Sequence, residues 1–104
     1  MNYRIPHTDV LAGTKVLFYV ATRETDTSLI IIDAYSLKKM ELPMGKKVLI
    51  SSKLLPFNEA GRYLYYFKIG DKFLDAHGVQ KEAIIHPFTL TVYKENFLSE
   101  PAII

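Results

Sequence analysis

The sequence predicts an all-β fold, an antiparallel sandwich of about seven strands, on three observations. Short runs of β-branched and aromatic residues alternate in polarity along most of the chain. Turn residues punctuate those runs, as in Ala12-Gly13, Met44-Gly45 and Gly70-Asp71. No extended stretch carries the apolar stripe of a helix. A closed small barrel is the structural rival.

Taken in order, the elements follow from local composition. Residues 3–5 read as a short strand stopped by Pro6, because proline removes a ladder donor. Thr8-Asp9 and Ala12-Gly13 signal turns. Residues 15–22 form a strand with Val16, Phe18 and Val20 on one face and Leu17 and Tyr19 on the other. Residues 23–28 are polar and read as a loop. Residues 29–35 are β-branched and almost continuously apolar, so both faces are covered in part. Residues 38–42 are a weaker strand ended by Pro43. Met44-Gly45-Lys46 turns into a strand over 47–55, where Val48 and Ile50 alternate against Leu49.

The strand over 63–69 organises the rest. Tyr63, Tyr65, Phe67 and Ile69 share a face that is apolar throughout and should meet a core; Arg62, Leu64, Tyr66 and Lys68 share the other. Residues 72–74 pair back across Gly70-Asp71 as a hairpin arm. Residues 75–86 read as a loop, with a helical turn or an edge strand over 79–85. The last strand, 88–93, points Phe88, Leu90 and Val92 one way and Thr89, Thr91 and Tyr93 the other. Gly61, one residue, then Tyr63 at a strand start resembles the tyrosine corner of immunoglobulin-like sandwiches, which buries the ring and returns the hydroxyl to backbone. The expected fold is therefore immunoglobulin-like.

Length and charge narrow the function classes. At 104 residues and 49% hydrophobic, the chain reads as a single domain over 1–104 with its own core. A net charge of +2 argues neither for nucleic acid nor for an anionic membrane. The absence of cysteine excludes a disulfide framework and fits a reducing compartment. The first residues hold no apolar signal core, and the apolar run at 29–32 is too short to span a bilayer.

The chemical inventory is thin. His7, His77 and His86 fall in expected loops without ligand spacing, so no metal site is read. Asp71 and Asp75 lack the dense oxygen pattern of a calcium loop and read as turn residues. The glutamates, Glu41, Glu59, Glu82, Glu95 and Glu100 among them, are scattered, and Ser51-Ser52 lies in a strand rather than on a strained elbow. No glycine pattern cradles a phosphate. No catalytic residue and no cofactor is predicted. Among the aromatics, parity turns Tyr66 away from the core and marks it as the exposed ring, with Tyr35 and Tyr93 less determined. Such rings pack against their own protein more often than they bind a ligand.

The stretch Phe88-Thr89-Leu90-Thr91-Val92-Tyr93, then Phe97 and Pro101, resembles the junction where the N-terminal β-sandwich of bacterial α-amylase-family glycosidases, the neopullulanases among them, meets the catalytic barrel. Tyr3-Arg4-Ile5-Pro6 with Ala12 to Val16 is similar to the opening of those domains, and Gly61-Arg62-Tyr63-Leu64-Tyr65-Tyr66-Phe67 to their central strand. The resemblance implies a non-catalytic accessory domain, excised before the barrel or the remnant of such a domain, whose partner is that catalytic domain and whose possible ligand is α-glucan. Tyr66, then Tyr35, are the residues it would use for sugar. The lack of tryptophan departs from the strongest sugar-stacking chemistry. The other function class is a stand-alone structural or protein-interaction module, as in a phage or surface protein, that could add a peptide to a sheet edge.

Overall fold

The structure, a computed structural model, describes residues 7–82 and 86–94. The expected strand at 3–5, residues 83–85 of the segment expected as a helical turn or edge strand, and the junction beyond Lys94 lie outside them; of that segment's described part, residues 79 and 80 are strand. Ten strands are described: β1 His7–Leu11, β2 Thr14–Ala21, β3 Thr27–Asp33, β4 Lys39–Pro43, β5 Gly45–Lys47, β6 Ile50–Phe57, β7 Gly61–Ile69, β8 Lys72–Asp75, β9 Gly78–Gln80 and β10 Phe88–Tyr93. They form two sheets. The larger runs β1-β10-β7-β3-β4, with the β8–β9 hairpin continuing beside β7, and the smaller runs β2-β6-β5. This strand order is that of an immunoglobulin-like β-sandwich.

The core lies between the sheets. Val16, Phe18, Val20 and Phe57 meet Leu29, Ile31, Tyr65, Phe67, Phe88, Leu90 and Val92, as alternation predicts. Tyr65 is its hub. Its ring contacts Phe18 at 4.9 Å edge-on, Phe88 at 5.1 Å stacked and Phe67 at 6.1 Å edge-on. Offset and edge contacts of this kind add to plain burial. β7 is central because it pairs with β3 along one edge and with β10 and then β8 along the other.

Four expectations are corrected. Thr8-Asp9 is not a turn but part of β1, which pairs parallel to β10. Gly45 and Lys46 belong to β5, and the turn is made by Val48 and Leu49, with Val48 at φ 57°. β3 begins at Thr27 and ends at Asp33, so Tyr35 leaves the strand and sits in a turn. Pro56, just beyond the strand expected over 47–55, stays inside β6. Between β4 and β5 the chain crosses from one sheet to the other through Met44, which is buried and donates its N–H to the Thr27 carbonyl.

Candidate functional site

The chemistry of this chain gathers at one end of the sandwich, where β3 turns into β4 and β6 turns into β7. Asp33 closes β3 and builds the first turn. Its Oδ1 accepts the N–H groups of Tyr35 at 2.8 Å and Ser36 at 3.2 Å. This is the local bonding that aspartate favours over continued strand. Leu37 then takes φ 63° and donates its N–H to the Asp33 carbonyl. The turn is tied to β7 by the Ala34 N–H, which donates to the Arg62 carbonyl. The two turn amides, that of Tyr35 above all, hold the Asp33 carboxyl below the usual carboxylate range.

Tyr63 stands opposite Asp33 in the β3–β7 register. Its ring tilts against Phe57 at 5.1 Å and folds back over Gly61. The ring position is that of a tyrosine corner, but among the described residues its hydroxyl donates to no backbone carbonyl. Burial first, then the carboxylates of Asp33 and Glu59, push the Tyr63 phenol above its ordinary range. Between the sheets here lies a groove of about 480 Å³, floored by Ile31, Leu55 and Phe57 and edged by Asp33, Lys38 and Glu59. A second depression of about 640 Å³ adjoins it, sharing Asp33, Glu59 and Tyr63 and reaching Tyr35 and Arg62.

Tyr66 and Tyr35 are not brought together. Tyr66 lies on the outer face of the large sheet, as parity requires, but it is only 8% exposed. Its ring packs edge-on to Phe73 at 5.9 Å and it pairs across the ladder with Ile30, itself buried. The expected exposed ring is therefore a covered one. The β8 arm that brings Phe73 alongside is the reason. Tyr35 is 98% exposed, alone on its turn. It lies beyond the end of β3, whereas Tyr66 faces the middle of that strand, about 10 Å short of Asp33.

The other expected residues also find places. Ser51 is fully buried and faces the core opposite Val20, out of reach of a substrate. Asp75 serves its turn, accepting the His77 N–H at 2.9 Å. The His77 and His86 rings, far apart in sequence, stack at 3.7 Å with planes 9° apart. Parallel imidazoles direct their lone pairs into separate planes, which is not a chelating arrangement. Among the described residues, no three His, Cys, Asp or Glu side chains form a metal cluster. The groove itself was missed in the sequence. Asp33 carried a signal, since an aspartate ahead of Tyr-Ser reads as turn chemistry. Glu59 carried none until β3 and β7 were paired.

No protein-family model and no curated protein matches the chain. Among solved structures, an uncharacterized protein from Bacillus anthracis str. Ames gives a TM-score of 0.51 at 13% identity, over 84% of this chain and 77% of that one. The ZIG-8 IG1 homodimer gives 0.47 at 12% identity, over 90% and 84%. The first likeness concerns the fold alone, and the second falls below the level at which a shared fold follows. Neither names a glycosidase.

Proposed function

We propose that this chain is a non-catalytic accessory module, the N-terminal sandwich of an α-amylase-family glycosidase, and that it acts by packing against the catalytic barrel. The resemblance of its strands and of the Phe88–Pro101 region supplies the family. The observation that carries the packing role is the outer face of the small sheet. Leu17 and Leu54 stand directly opposite one another across β2 and β6, and Ile50 follows opposite Ala21. All three large side chains are exposed. The charged residues of that face are Lys15 at one end and Lys47 at the other. An apolar face with a charged rim is the form of a protein contact, here interrupted by Ser52 opposite Tyr19. Glucan is at most a weak ligand on this reading. Tyr66 is covered, and the single exposed ring of Tyr35 excludes little water, so affinity is expected near the millimolar level, about −4 kcal/mol.

The test begins with the gene. A reading frame that continues into a β/α-barrel is required, and one that stops at Ile104 favours the stand-alone interaction module instead. In the full-length protein, Leu54→Lys should lower the melting temperature of the barrel while the sandwich stays folded. An unchanged barrel transition would show that this face does not meet it.

A further inference from the structure

We propose that the groove between Asp33 and Glu59 binds an apolar ammonium ion: a primary amine carried on an aromatic or aliphatic body. This is independent of the accessory role, because the groove lies within the sandwich itself.

The volume fits. About 480 Å³ falls within the usual span of small-molecule sites, roughly 300–1,000 Å³. The floor is apolar. Ile31, Leu55 and Phe57 offer no hydrogen-bonding side chain, and Met40 lies exposed along the edge strand at the groove's side. A ligand body that fills this floor must be apolar too, since an unpaired polar group placed there loses its water without compensation.

The rim selects the charge. Asp33 is fixed in place by its turn: Oδ1 takes both amides, and the Ser36 side chain also hydrogen-bonds the carboxylate. Glu59 has neither a hydrogen bond nor an ion pair among them. Lys38 is the one cation in the lining, so two carboxylates stand against one ammonium. Its charge acts on Asp33 without closing an ion pair among the described residues, and Glu59 is left to meet a ligand. Tyr63 and Phe57 line the groove with the two acids, their rings tilted against one another at 5.1 Å. Both carboxylates act on the Tyr63 hydroxyl, and Lys38 acts on Asp33 but not on Glu59. An ammonium group at this point meets two carboxylates and a phenol ring, while its body lies on Phe57 and Leu55. Cation–π attraction and opposite charge act together. An anion of the same shape meets the same field with the wrong sign.

Three isosteric probes separate these contributions in amide-shift titrations of the intact 104-residue chain: 2-phenylethylamine, 2-phenylethanol and phenylacetate. The amine should give saturable shifts confined to residues 31–40 and 55–63. It should bind about tenfold more tightly than the alcohol, the scale of one desolvated cation–ring contact. Phenylacetate should bind more weakly than the alcohol. Glu59 is exposed, so Glu59→Gln keeps the fold; it should remove most of the amine's advantage and leave the alcohol unchanged. Equal affinity for amine and alcohol would overturn the charge selection. Tighter phenylacetate, shifts outside the groove, or no saturable shift from any probe would overturn the site. Maltotriose saturating these same amides in preference to the amine would make the groove a sugar site and overturn the assignment.

Discussion

Tyr65 shows how much of this fold hangs on single side chains. Its ring touches three other aromatics and is fully buried. Tyr65→Ala or Phe67→Ala should cost about 3–5 kcal/mol, the range for truncating a buried aromatic, read from the denaturation midpoint. An unchanged midpoint in both would mean that the two faces of β7 are reversed. Asp33 makes a different prediction. Its carboxyl is held below the ordinary value of about 3.9 by the Tyr35 and Ser36 amides. A depressed folded pKa gives stability that is present above the unfolded value and lost as pH falls through the folded one. Stability should therefore decline below about pH 4. In Asp33→Asn, which keeps the accepting oxygen but not the charge, that decline should be shallower. Equal slopes would show that other carboxylates carry it. At this scale the inward residues were legible, because alternation alone sorts Tyr65 from Tyr66. Coverage was not. Parity says which way Tyr66 points, and only the path of β8 puts Phe73 beside it.

Strands were easier to read than the turns between them. Gly70 and Gly13 sit at φ 62° and 91°, where their turns need a residue without a Cβ, and both turns were visible as glycine signals. The β5–β6 turn was not, because it uses Val48 at φ 57°. A β-branched residue is disfavoured there, and nothing in local composition announces it. That side chain is 84% exposed, so it contributes little burial in return. Val48→Asn, a residue that tolerates the left-handed region, should raise stability by about 1 kcal/mol. A lower melting temperature would mean that the valine makes a contact worth more than its strain. The same blindness displaced Tyr35. A run of apolar residues up to Ala34 reads as strand, while the Asp33 carboxylate ends it by capping two amides.

For the molecule as a whole, two layers of alternating strands could be inferred because the period-two pattern persists through almost every run. Their order could not, since pairing depends on contacts between residues distant in sequence. The groove depended on that order: Asp33 meets Tyr63 only once β3 lies against β7. On the accessory reading, the isolated chain should release no reducing sugar from soluble starch above a heat-treated control. Activity in a preparation free of host amylase would defeat it. The parallel pairing of β1 with β10 has a mechanical consequence. The ladder runs from His7 opposite Thr89 to Leu11 opposite Tyr93, and the Ala12 N–H extends it to the Tyr93 carbonyl. Tension entering before His7 and leaving after Tyr93 pulls β1 toward its start and β10 toward its end. On parallel strands those pulls oppose one another along the ladder, so all its bonds bear load at once instead of parting one after another as in an unzipped hairpin. The sandwich is thereby clasped against stretching along its own chain, with its first and last described strands as the clasp.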